Sequence, residues 1–305
     1  MPENSINPED EDNEKPLCPL CGNPRHAKIK QLKTTSWLLC KFCCFLYCHP
    51  PSKVAENIAN KFEAQWGKGK DFETQVQERK RIWESFIHRC GSIDKDKINV
   101  LDFGSGEGEM LEHLSRTGIK ATGLEPSEKG ASFSRENGHK VINGFLEKDT
   151  FEPETFNIIV IQNMVHYLPK AGETFKILSH ILEDNGMIFW QEKQYHFSGL
   201  LPWNNLSESN CYSYFSKTSV LNLLSFNGFE VEHYHDRMGE FLLVARKSKV
   251  SKPVIKKYFQ ERLILFLLPA TDPLFHYLRR LALFAYRKLL AMGFLKASSK
   301  NAIQN

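Results

Sequence analysis

At 305 residues and 35.2 kDa the chain exceeds one average domain and falls short of three, so one full domain with smaller appendages is expected. Hydrophobic residues at 41%, with 22 Phe and 5 Trp, exclude disorder as the main state, because they supply ample core material. The net charge of +4 hides nine Lys or Arg against two acids in residues 252–296, which excludes a uniformly basic nucleic-acid binder.

In chain order, residues 1–16 carry six acids and one Lys and read as a disordered tail. They lack the basic-then-apolar form of a secretion signal, and no apolar run reaches 18 residues, so a cytoplasmic protein is expected. Eight cysteines in that setting point to metal ligands or thiols rather than disulfides. Six of them fall in residues 17–50. Cys18-Pro-Leu-Cys21-Gly and Cys40-Lys-Phe-Cys43 form two knuckles separated by 18 residues, the layout of a zinc ribbon. Two thiolates on each tight turn complete a closed four-thiolate site with no position for water, so structural Zn2+ is expected and no catalytic role for it. So small a segment buries little core, and the metal is expected to supply its folding free energy.

Residues 51–96 repeat apolar positions such as Val76, Ile82, Trp83 and Phe86 at helical spacing and read as a helical connector or lid. From residue 97 to 247 short apolar runs (INVLDFG, IKATGLEP, HKVING, FNIIVIQ, MIFWQEK) alternate with amphipathic stretches (EGEMLEHLSRTG, KGASFSRENG, ETFKILSHILEDNG). Strands alternating with helices predict an α/β fold with a mostly parallel sheet covered on both faces. A helix in TSVLNLLSFNG and two closing strands follow. Residues 248–305 form a separate basic extension, in which PLFHYLRRLALFAYRKLLAMGFLK can make one helix with a narrow basic stripe. That helix suits packing on the domain or at a dimer interface, or lying in an anionic membrane surface through residues 262–296, at the inner face of the membrane.

The most informative segment is Val100-Leu101-Asp102-Phe103-Gly104-Ser105-Gly106-Glu107-Gly108, a buried strand ending in a glycine turn before a helix. Glycines let the backbone bend sharply and approach a ligand at the carboxyl end of the strand. The spacing is not the Gly-x-Gly-x-x-Gly of a dinucleotide site, and Asp102 would disfavour a phosphate while favouring a cation. Glu125 ends the next strand, 21 residues after Gly104, where a carboxylate can accept from both hydroxyls of a ribose. Together they suggest a nucleoside with a cationic arm that carries no phosphate.

VLDFGSGEG, GLEPS, FNIIVIQNMVHYL and FSKTSVLNLLSFNGFEVE resemble, in order, segments of class I methyltransferases that use S-adenosyl-L-methionine (SAM). The resemblance covers residues 97–247 and implies a Rossmann-like, mostly parallel seven-stranded sheet. It implies that Asp102, Gly104, Ser105 and Gly106 line the methionine arm, that Glu125 holds the ribose, and that Gln162 and Asn163 lie near the cofactor. Asn157 stands where the family usually has Asp. With the cysteine ribbon, the layout resembles bacterial methyltransferases that include sugar C-methyltransferases, which implies a small-molecule or a sugar- or lipid-linked acceptor. Those sugar enzymes carry a longer C-terminal domain, and relatives often have His where Cys211 stands.

Methyl transfer needs an aligned acceptor and, for some acceptors, a base. His196 is the first candidate base and His166 the second, with Tyr195 beside them; Glu192, Trp203, Asn204, Tyr212 and Tyr214 sit in or near the same aromatic-rich stretch, residues 194–216. Two other readings remain: an RNA methyltransferase whose ribbon recognises nucleic acid, disfavoured by the acidic tail and the few cations of residues 17–50, and a scaffold that keeps the fold without catalysis. No nucleic-acid partner is expected.

Overall fold

The computed structural model describes residues 15–51, 54, 55, 58, 71–90, 97–193, 211–237 and 240–248. Most of the acidic tail, the basic extension beyond residue 248, and the site candidates Tyr195, His196, Trp203 and Asn204 lie outside the described residues.

The N-terminal segment forms β1 (His26–Gln31), β2 (Ser36–Cys40) and β3 (Leu46–His49). Helix α1 (Phe72–Cys90) follows, and then β4 (Asn99–Phe103), α2 (Glu109–Arg116), β5 (Lys120–Glu125), α3 (Glu128–Glu136) and β6 (Val141–Asn143). The second half holds β7 (Phe156–Gln162), a 3-10 turn at Val165–Tyr167, α4 (Ala171–Ile181) and β8 (Leu182–Lys193). It closes with β9 (Ser213–Tyr214), α5 (Lys217–Phe226), β10 (Phe229–Arg237) and β11 (Glu240–Lys247).

Seven of these strands make one sheet, in the order β10-β11-β8-β7-β4-β5-β6. Strands β4 to β8 pair in parallel, and β11 is antiparallel to both β8 and β10. This is the Rossmann-like, mostly parallel seven-stranded sheet expected from the sequence.

Apolar residues on both faces explain why the central strands sit inside. Side chains alternate along a strand, so odd and even positions feed different cores. Leu101, Ile159, Ile161 and Trp190 join the core on the side of α4 and α5, while Val100, Ile158, Val160 and Phe189 join the core on the side of α1 and α2. Trp190 centres the first core, with the rings of Phe175, Phe215 and Phe241 at 5.2, 5.4 and 5.0 Å. On the other face α1 lays Trp83 and Phe86 against Phe189, at 5.5 and 4.4 Å between ring centroids.

The structure departs from the sequence reading in two places. ILEDNG, taken as the end of a helix, instead opens β8: α4 stops at Ile181, and Asn185 turns the chain at φ 64 before the apolar run. The cysteine segment is also less isolated than its size suggests. Leu20, Leu38, Phe45 and Tyr47 belong to the same core as Trp190. Its sheet, in the order β1-β2-β3-β9, takes its last strand from residues 213–214, far along the chain. Among the described residues, no helix is long and apolar enough to cross a membrane.

Candidate functional site

A cavity of about 1300 Å3 opens at the carboxyl ends of β4, β5 and β7. Asp102, Gly104, Ser105, Gly106, Glu125, Gln162 and Asn163 all line it, so the fold gathers into one wall residues that are 61 positions apart at the extremes. Backbone shape explains the glycines. Gly104 has φ 82, which side chains rarely adopt, and an added Cβ would meet Met164 at 3.1 Å. The Gly104 and Ser105 amides both donate to the Leu124 carbonyl, which pins the turn against β5.

The acids are buried. Asp102 is 3% exposed, and burial pushes its carboxyl up to about 7; Arg79 opposes that rise, while Glu109 and Glu125 add to it. Burial raises the Glu109 carboxyl as well. Glu125 accepts from the backbone N–H of Gly106 at 2.8 Å through one oxygen and from that of Ser127 at 2.8 Å through the other. These bonds fix the carboxylate in the cavity wall. Four buried polar atoms of the wall have no hydrogen-bond partner among the described residues: Ser105 Oγ, Glu109 Oε1, Gln162 Nε2 and Asn163 Oδ1. Asn163 sits at φ 50, with its backbone amide donating to the Gln191 carbonyl at 2.9 Å.

Across the cavity stands His166 on the 3-10 turn. Its Nδ1 lies 2.6 Å from Glu192 Oε1. Glu192 is fully buried, and its Oε2 accepts from the Val165 amide at 2.9 Å and from Trp190 Nε1 at 3.4 Å. A carboxylate accepts, so Nδ1 carries a hydrogen and Nε2 is the ring nitrogen left to act on a ligand. Glu192 proves to be the penultimate residue of β8 rather than part of the loop behind it. Tyr212, its hydroxyl pushed up to about 12 by burial, lines the same side together with Tyr167, Lys170 and Lys193.

Several contributors escaped sequence reasoning, Arg79, Phe145 and Met164 among them. Arg79 enters from α1, Phe145 from the loop after β6, and Met164 from the loop after β7. Arg79 lay within a helix read only for its apolar positions, and the other two are apolar residues without a chemical signature.

The four sulfurs of Cys18, Cys21, Cys40 and Cys43 lie within 4.8 Å of one another, with Cys18–Cys43 at 3.5 Å and Cys21–Cys40 at 3.7 Å. A tetrahedral ion with Zn–S near 2.3 Å needs sulfurs about 3.8 Å apart, so the cluster fits such an ion. Hydrogen bonding with the other sulfurs, followed by burial, holds the Cys18 and Cys43 thiols above their ordinary value.

Comparison with known proteins agrees with this geometry. A family model described as a methyltransferase domain matches residues 75–234, a stretch that excludes the cysteine ribbon. The Ubiquinone biosynthesis O-methyltransferase of Serratia proteamaculans (strain 568) is 26% identical over 158 residues, 46% of this chain and 63% of that protein. Its counterpart in Aromatoleum aromaticum is 26% identical over 109 residues, 33% of this chain and 47% of that protein. The match thus spans less than two thirds of these relatives. Among solved structures, the PH0226 protein from Pyrococcus horikoshii OT3 has a TM-score of 0.50 at 19% identity, covering 62% of this chain and 99% of its own. A chain from the complex of the Haloferax volcanii Trm112 methyltransferase activator with a methyltransferase also scores 0.50, at 17% identity, over 62% of this chain and 98% of its own. These likenesses show the fold, and the family match covers more than half of the sequence: the chain belongs to the methyltransferase domain family.

Proposed function

We propose that the protein transfers the methyl group of SAM to an oxygen of a small-molecule acceptor, with His166 as general base. One observation carries the reading: a single cavity joins the buried acids of β4 and β5 to a histidine whose other nitrogen is held by a buried carboxylate. The names of the curated relatives support oxygen as the accepting atom.

The residues present fit the cofactor. Asp102 would take the ammonium of the methionine arm and Arg79 its carboxylate, with Glu125 on the ribose hydroxyls and Phe145 and Leu146 against the adenine. Ser105, Gln162 and Asn163 would satisfy their orphaned atoms on the same ligand. Bound SAM supplies an electrophilic carbon with a neutral thioether as leaving group. Glu192 holds the imidazole in the tautomer that accepts, and Nε2 removes the acceptor's hydroxyl proton as its oxygen attacks. His166 thereby takes over the first place given to His196, which lies outside the described residues, as does Tyr195. The acceptor remains of the small-molecule or sugar- or lipid-linked kind, and Cys18, Cys21, Cys40 and Cys43 would hold one structural Zn2+.

Titration calorimetry with SAM tests the cofactor site: wild type binds, and Glu125→Ala binds at least tenfold more weakly. Equal affinity of the two proteins removes this assignment. Methyl transfer to a panel of phenols and catechols tests the base, with His166→Asn expected to lower turnover roughly 10²–10⁴-fold while SAM affinity holds. Elemental analysis should find one zinc per chain, lost in Cys40→Ser.

A further inference from the structure

The cysteine ribbon touches the acceptor side of the cavity through its backbone. Strand β3 pairs with β9, Leu46 opposite Tyr214 and Tyr47 opposite Ser213. One residue before β9, the Cys48 amide donates to the Tyr212 carbonyl at 2.8 Å. The Tyr212 amide in turn donates to the carbonyl of His166 at 2.9 Å. Rings reinforce the seam: Trp37 lies 5.2 Å from Tyr214, and Phe45 lies 5.1 Å from Phe215. Residue 212 is therefore a rivet, with one backbone group on the ribbon and the other on the turn that carries the imidazole.

The cofactor acids are held differently. Asp102 and Glu125 stand on β4 and β5, and Glu125 is fixed by the amides of Gly106 and Ser127, all within the glycine-turn half of the site. The hydrogen bonds that fix Glu125 lie within that half, although Leu101, Phe103 and Leu124 share a core with Leu20, Phe45 and Tyr47 of the ribbon.

We propose that the four-cysteine ribbon is a positioning element for the acceptor half of the active site: an ion on Cys18, Cys21, Cys40 and Cys43 fixes β3, β3 fixes Tyr212, and Tyr212 fixes the backbone of His166. The ion does no chemistry. It sets where the base stands, and it leaves the SAM half unchanged. The role assigned to His166 rests on the proposed function, whereas the coupling is measured independently of any acceptor.

The test is hydrogen–deuterium exchange on the 305-residue chain, zinc-loaded, after chelation, and after Zn2+ is added back. Removal should speed exchange at least tenfold in peptides spanning 211–216 and 165–168. Peptides spanning 99–106 and 120–127 should keep their rates, and SAM affinity should stay within threefold; added Zn2+ should restore protection. If ribbon peptides open while 211–216 stays protected, no coupling exists and the proposal falls. If every peptide opens together, the metal holds the whole fold and the proposal falls equally. A second arm leaves the ribbon intact. Tyr212→Pro removes the amide that reaches His166, and it should shift the His166 ring signals in an NMR spectrum (identified by their loss in His166→Gln). Tyr212→Phe keeps the amide and should leave them in place. Equal spectra for the two variants overturn the rivet.

Discussion

Burying Asp102, the residue proposed to meet the cofactor's ammonium, costs the unliganded protein stability. Its carboxyl titrates at about 7 in the fold, against an ordinary 3.8, because it is buried. Between those values the native chain binds more protons than the unfolded one, so on this residue's account stability falls as pH rises through the window and levels off above about 7. Asp102→Asn should therefore stabilise the unliganded protein near pH 8, by about 1–3 kcal/mol in denaturant titration, while weakening SAM binding at least tenfold. For wild type, SAM affinity should rise as pH climbs from 6 to 8, with a proton released on binding near pH 6.5, seen as a buffer-dependent calorimetric heat. Affinity that falls over that range contradicts the role given to Asp102. Gly108 is a second test of local geometry. Its φ is 91, and an added Cβ would overlap the buried Ser134 hydroxyl, so Gly108→Ala should cost about 3 kcal/mol in thermal or denaturant unfolding.

At the scale of elements, β4, β5 and β7 could be read from the sequence because strands buried on both faces are continuous apolar runs, each followed here by a polar or glycine turn. The acid and glycine positions came with them, since their spacing has a chemical meaning. Strand β8 was half legible: its apolar part stood out, but Glu183, Asp184 and Asn185 looked like a helix end. Asn157, the departure from the family pattern, is explained by position. Its side chain accepts from the Asn99 amide at 2.7 Å and donates to Glu183, at the strand ends opposite the cavity. Strand β9 is two residues long and gave no pattern at all; only its partner β3, some 165 positions earlier, makes it a strand. The pairing of His166 with Glu192 was hidden for the same reason, as 26 residues separate two groups that the sheet brings to 2.6 Å. Glu192→Gln tests that pairing: an amide keeps the shape and removes the charge, so turnover should fall about 10–100-fold with little change in SAM affinity. Trp190→Ala, at the centre of the ring cluster, should cost about 3–5 kcal/mol in denaturant unfolding.

For the whole molecule, the shared core matters most. Because Leu20, Leu38, Phe45 and Tyr47 pack with Trp190, ribbon and sheet of the zinc-loaded protein should melt in one calorimetric transition. Zinc removal takes the support of a native-state ligand from the ribbon, so residues 17–50 and 211–216 of the chelated protein should open ahead of the sheet. The attachment of the ribbon has a further consequence. Its link to the imidazole turn runs through main-chain amides and carbonyls at Cys48 and Tyr212, which every residue except proline can supply. The buried rings of Phe45 and Phe215 are committed to the core, but the Tyr212 side chain lines the cavity and can change while the backbone join persists, so the pocket can be reshaped without moving the turn that carries His166.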